Sequence, residues 1–261
     1  MIGLPDPRSR PPRRSLALLA VLIVALLAAS CAQGATFPDP SNPVSATPWP
    51  DYELLRYDIT DQTEVKIGTV DFEIERQDDE YRMRVQFLLP DTATEDELTL
   101  FVDAATLRPL RYERLATTPD ERVEIHATYG VDADGQRFVD SIVLQDDDRE
   151  ERHLELDEHS FDTDSSAWLW RTLAFAIDLE ISYRSVNVFA QRSQLVGLRV
   201  RGQDEIRTPA GDFLAWQLEA RPGAERQTVW FTVDVPHILV RWDLEPRRYL
   251  LREIVTTRPA N

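Results

Sequence analysis

Thr208-Pro-Ala-Gly-Asp-Phe-Leu-Ala-Trp-Gln-Leu-Glu219, followed a few residues later by Val229-Trp-Phe-Thr-Val-Asp-Val-Pro-His-Ile-Leu-Val-Arg-Trp242, decides the fold of this 261-residue chain. The first run opens on a turn, Thr208-Pro209-Ala210-Gly211, where glycine is free to take a positive φ. Leu214, Trp216 and Leu218 then share one face of a strand, because side chains alternate along extended backbone. In the second run Asp234-Val235-Pro236 sets a corner between two more strands. Trp230 shares its face with Thr228 and Thr232, which places it outside the core or at a groove edge. Turn, strand, loop, strand, corner, strand is the signature of an antiparallel meander.

The same rhythm continues towards the N-terminus. Leu54 to Ile59 reads as a strand, and Val70, Phe72 and Ile74 alternate with Asp71, Glu73 and Glu75 in the next. Gly68 inside that second strand invites a bulge or the close approach of a neighbour. Tyr81, Met83, Val85, Phe87 and Leu89 alternate with Arg82, Arg84 and Gln86. Further strands fall at Leu98–Val102, Leu107–Leu115 and Val123–Tyr129, and Asp132-Ala-Asp-Gly135 marks a hairpin. Asp146 to Arg152 reads as a charged turn at a hairpin tip. Strands at intervals of roughly ten residues define a sandwich, barrel or curled sheet.

One element breaks the pattern. Asp164-Ser165-Ser166 can cap a helix over Ala167–Ala176, whose apolar residues extend nearly all round. Such a helix is buried on more than one side, as it would be against the concave face of a curved sheet. The expected fold is therefore mainly β: one curled antiparallel sheet, half-barrel or barrel-like, with one helix packed against it, over residues 51–256. Trp168, Trp170, Phe175, Trp216, Trp230 and Trp242 form the candidate apolar ligand site, either lining a cavity between helix and sheet or filling it as core.

Residues 1–30 are an address. Arg13-Arg14 precede an uncharged apolar run, Leu16 to Ala29, which ends in Ser30-Cys31-Ala32. A basic start, such a run and small residues at its end make a secretory signal peptide, and a run below about 18 residues is short for a membrane span. Cys31 is the chain's one cysteine. In an exported chain it has no disulfide partner, and its position resembles the bacterial lipoprotein signal, in which that cysteine carries lipid. Residues 31–50, with Pro38, Pro40, Pro43, Pro48 and Pro50, read as an extended tether between membrane and domain.

From Asp164 onwards the chain resembles an exported bacterial family known as domain of unknown function number three-one-zero-eight. The likeness rests on Ser166-Ala-Trp-Leu-Trp-Arg-Thr-Leu173, on Val200-Arg-Gly-Gln-Asp-Glu-Ile-Arg-Thr-Pro-Ala-Gly-Asp-Phe-Leu-Ala-Trp216, and on Val229 to Trp242. It extends more loosely through Lys66-Ile-Gly-Thr69 and Leu107-Arg-Pro109, covering most of residues 52–255. The resemblance implies an exported β-rich domain and brings no catalytic residues. A fold-level analogy to the curved half-barrels that carry lipoproteins is analogy only.

The net charge of −17 disfavours nucleic acid as a partner. His126, His153, His159 and His237 match no common zinc spacing, so no metal or cofactor is expected. Neither a nucleophile elbow nor a phosphate-binding glycine loop occurs. The functional expectation is a non-catalytic envelope lipoprotein, extracytoplasmic and held to a bacterial membrane by lipid on Cys31. It would bind an apolar molecule such as a lipid or acyl chain. The alternatives are a structural module meeting an envelope protein through its acidic surface, or a hydrolase using paired carboxylates. Labelling cells with a lipid precursor should mark the natural chain and leave the Cys31→Ser chain unmarked; equal labelling of both would remove the anchor.

Overall fold

In the computed structural model, which describes residues 37–146 and 148–258, the alternating segments pair into one sheet of fifteen strands. Cys31 and the signal segment lie outside the described residues. The first half contains β1 (Tyr52–Thr60), β2 (Lys66–Gln77), β3 (Glu80–Leu89), β4 (Thr94–Asp103), β5 (Pro109–Thr117), β6 (Arg122–Val131), β7 (Arg137–Gln145) and β8 (Asp148–Leu156). The second contains β9 (Ser160–Asp162), β10 (Glu180–Asn187), β11 (Arg192–Thr208), β12 (Gly211–Pro222), β13 (Gln227–Thr232), β14 (Leu239–Leu244) and β15 (Arg247–Val255).

Spatial order runs from β8 back to β1, then from β15 back to β9. First and last strands are therefore neighbours in the middle of the sheet, with Tyr57 opposite Leu251. Neighbours pair antiparallel except for the short β9, which lies parallel to β10. The two edges, β8 and β9, are joined by a short turn, so the sheet curls nearly shut. Side chains bridge the seam: Arg137 Nη1 donates to Glu158 O at 2.9 Å, and Arg152 Nη1 to Phe189 O at 2.6 Å. The barrel-like fold matches expectation.

Local signals hold where turn chemistry is involved. Asp132 Oδ1 accepts from Asp134 N and Gln136 N in the β6–β7 hairpin, and Gly135 has φ 85°. Gly211 at φ 139° closes the β11–β12 hairpin. At Gly68 both expectations meet: the β1–β2 register shifts beside it, and a Cβ there would stand 2.3 Å from the Leu88 carbonyl oxygen. The charged run that reads as a turn is a strand instead. Asp148 to Arg152 belong to β8 and are almost entirely exposed. A strand wet on both faces shows no apolar alternation, and its charges protect the edge against pairing with another chain.

The helix differs in extent from the reading of Ala167–Ala176. Three consecutive helical turns, Thr163–Ser165, Ser166–Leu169 and Trp170–Thr172, form one segment, α1, inside the barrel. Its cap is Asp162, whose Oδ1 accepts from Asp164 N at 2.8 Å. Leu173 is extended, with φ −63° and ψ 142°. The apolar run continues to Ala176 because Phe175 packs against Trp216 and Phe231, not because the helix continues.

The proline-rich segment also departs from expectation. Residues 37–50 are extended, yet they pack as a strap along the domain. Ser41 N donates to Ser182 O at 2.8 Å, Ser182 Oγ to Pro38 O at 2.6 Å, and Ser45 Oγ to Thr172 O. Phe37 occupies the space where a side chain on Gly197 would begin. Trp49 is buried edge-on against Tyr81. Lack of proline N–H groups excludes a sheet ladder, but not packing through carbonyls and hydroxyl donors.

Arg171 fastens these parts together. It and Glu53 of β1 are each 1% exposed. Its Nη1 and Nη2 donate to Glu53 Oε1 and Oε2 at 2.5 and 3.0 Å, and Nη2 also to Pro236 O at 3.1 Å. Its guanidinium lies 5.4 Å from the Trp49 ring centroid. Arg171→Met should lower unfolding free energy by about 3–5 kcal/mol in a urea titration, because it strands a buried carboxylate. Adding Glu53→Leu should restore most of that loss.

Candidate ligand cavity

Strands send alternate side chains into the barrel, and on β3 and β14 part of that inward series is only half-buried. On β3 the inward series is Tyr81, Met83, Val85, Phe87 and Leu89; Tyr81, Met83 and Leu89 are buried, while Val85 and Phe87 are only half-buried. On β14 the inward Trp242 and Leu244 are likewise half-buried. These apolar side chains face inward without being fully covered. Beside them lies a cavity of about 370 Å³. Val70 and Phe72 of β2, Leu98 of β4 and Tyr249 of β15 continue its apolar wall, and α1 contributes Ala167 and Trp170.

The wall carries charge at defined points. Asp96 follows the inward phase of Leu98 and Leu100, and Arg114 that of Tyr112. Arg114 Nε and Nη2 donate to Asp96 Oδ1 and Oδ2 at 2.9 and 2.5 Å, a two-pronged pair. Asp164 accepts from the Tyr112 hydroxyl at 2.8 Å, and Asp162, behind it, from the Tyr129 hydroxyl. Burial, reinforced by the charge of Asp164, pushes the Asp162 carboxyl up to about 7. Burial also raises that of Asp164, against the opposing pull of Arg114. Gln227 and Arg247 complete the polar part of the lining, with Thr163, Ser166 and Ser185.

The six candidate aromatic residues are divided among four places. Trp170 and Trp242 line the cavity, their rings edge-on at 5.6 Å, and Trp170 Nε1 donates to the Tyr183 hydroxyl at 3.0 Å. Trp168 is solid core, packed edge-on against Phe72. Phe175 and Trp216 stack on one another in a separate cluster with Phe231 and His237. Trp230 alternates with the inward Val229 and Phe231 yet is buried, not exposed: Nε1 donates to Asp204 at 2.9 Å and Arg241 covers the ring. Missed by aromatic content alone were Asp96, Arg114, Gln227 and Arg247. Their signal is a polar residue in the inward phase of a strand. Among the described residues no group of three or more His, Cys, Asp or Glu side chains is placed to hold a metal ion.

Fold and cavity together define a barrel-like, single-sheet β-protein nearly closed around a short helix, with an apolar chamber beside that helix. The chain belongs to the family described as Protein of unknown function (DUF3108), whose model matches residues 56–247. A solved structure of a β-barrel-like protein of domain of unknown function DUF1849, from Brucella abortus, superposes with a TM-score of 0.53. Identity is 12%, covering 82% of this chain and all of that one, so the likeness is of fold alone. A Parabacteroides distasonis protein provisionally described as a lipoprotein gives a TM-score of 0.29 at 11% identity, covering 82% of this chain and 100% of its own. A Bacteroides fragilis protein provisionally described as exported, with a YmcC-like fold, gives 0.28 at 9%, covering 81% and 99%. No curated protein matches the chain.

The raised acids make stability depend on pH. A carboxyl whose folded value exceeds its unfolded one binds its proton more tightly in the folded state. That contribution is complete below about 4 and is lost as pH rises through about 7. Asp162→Asn removes the titration and keeps an oxygen to cap α1. Urea midpoints should show a shallower decline between pH 4 and 7 for this variant than for the natural chain; identical slopes would place the titration elsewhere.

Proposed function

We propose that the protein is an exported, non-catalytic lipoprotein of the cell envelope that holds an apolar ligand, such as an acyl chain, beside α1. The observation that carries this reading is the 370 Å³ chamber, walled by Val70, Phe72, Val85, Phe87 and Leu98 where a solid core would have no space. Small-molecule sites begin at about 300 Å³ and are mainly apolar, with a few polar groups to fix orientation. The half-buried ring of Phe87 and side chain of Leu244 provide a way in from solvent. The apolar run ending at Cys31 supports export and a lipid anchor at the membrane.

Titration of the protein with a fluorescent polyene fatty acid should show saturable binding. Val85→Trp adds bulk at a half-exposed wall position and should weaken that binding about tenfold or more, by denying the ligand apolar contact. Absence of saturable binding to the natural chain, or binding indifferent to Val85→Trp, would refute the cavity as the site.

A further inference from the structure

We infer that Arg247, aided by the side-chain amide of Gln227, receives the anionic head of a single-chain amphiphile whose tail enters the cavity. This rests on the reading that the cavity holds an apolar ligand. Gln227, Leu244 and Arg247 form a row across three adjacent strands. Leu244 is opposite Arg247 in the β14–β15 register, and Gln227 lies one residue beyond the Thr228–Asp243 pair. All three line the chamber. The two polar members therefore flank one apolar residue, separated by two strand spacings of about 4.8 Å each.

Both carry donors that the fold leaves uncommitted. Of the two arginines in the lining, Arg114 is neutralised by Asp96. Arg247 has no carboxylate within 4.0 Å among the described residues, and its guanidinium lies 5.3 Å from the ring centroid of Phe87. Its polar neighbour is the Tyr249 hydroxyl. Gln227 Oε1 accepts from Trp242 Nε1 at 3.2 Å, which fixes the amide and leaves its N–H groups without a partner among the described residues. In a chain of net charge −17, a half-buried cation without a counter-charge, set against an apolar wall, is an anion site. Carboxylate and phosphate oxygens match the planar guanidinium fork, whereas a cationic head would meet repulsion. A volume near the lower end of ligand sites favours one hydrocarbon chain over two.

The test compares a fatty acid, its methyl ester and a lysophosphatidate of equal chain length, each displacing the fluorescent polyene from the full chain. The natural protein should prefer the acid or the lysophosphatidate to the ester by about tenfold, as expected for a charge-assisted contact. The preferred head distinguishes a free fatty acid from a lysophospholipid. Arg247→Gln should abolish that preference, bringing the acid and the lysophosphatidate down to the level of the ester, and Arg247→Lys should keep part of it. Equal binding of acid and ester by the natural chain, unaffected by Arg247→Gln, would overturn the head-group assignment and leave the apolar cavity standing. If none of the three displaced the probe, both readings would fall. A cooperative urea transition close to that of the natural chain verifies that Arg247→Gln is folded.

Discussion

Arg171 carries a charge with almost no access to water, and its contacts tie its own segment to three other parts of the molecule. It lies on α1, pairs with Glu53 on β1, donates to the corner at Pro236 and stacks on Trp49 of the strap. A buried ion pair contributes little net stability compared with well-packed apolar residues. Its effect here is positional. The two-pronged geometry fixes how far α1 enters the barrel and how it is rotated. The faces presented by Trp168 and Trp170 follow from that. Trp168 is driven into core against Phe72, while Trp170 lies beside space that no side chain fills.

That space has a consistent chemistry. Its apolar walls come from positions that obey the inward alternation, so it is a feature of the fold's interior and not a surface crevice. The paired Asp96 and Arg114 satisfy one another, and Asp164 is held by Tyr112. Charge on that side is thereby spent within the protein. At the Arg247 side it is not. An elongated amphiphile of the proposed kind would have one orientation in which both its ends are satisfied.

Much of the fold was legible because strands and turns have short-range causes. Period-two alternation located the strands from Leu54 to Tyr129, and Asp132–Gly135 and Thr208–Gly211 announced their hairpins. What escaped was governed by partners distant in sequence. The first half of the edge strand β8, Asp148 to Arg152, has no apolar residue to advertise it. The strap looked unable to pack because the hydroxyls of Ser182 and Thr172, which bind its carbonyls, lie more than a hundred residues away. Phe175 seemed helical because apolar content cannot separate a helix from a loop buried under Trp216. Of the aromatic set, Trp170 and Trp242 do line the chamber, but grouping by residue type could not divide the rest. A polar residue in an inward phase, as at Asp96, Arg114 and Arg247, was the more informative mark.

The adjacency of β1 and β15 has a bearing on how the molecule is made. Apart from the parallel β9–β10 pair, each half of the sheet can assemble from hairpins between neighbours in sequence, but the β1–β15 ladder joins residues separated by nearly the whole domain. Loop closure over such a distance is slow and is rewarded only when both strands are present. A chain emerging N-terminus first would therefore hold β1 as an open edge until the last strand arrived. Premature ends cost this fold a strand from its centre, so incomplete chains are left with exposed backbone where the finished barrel has its most internal seam.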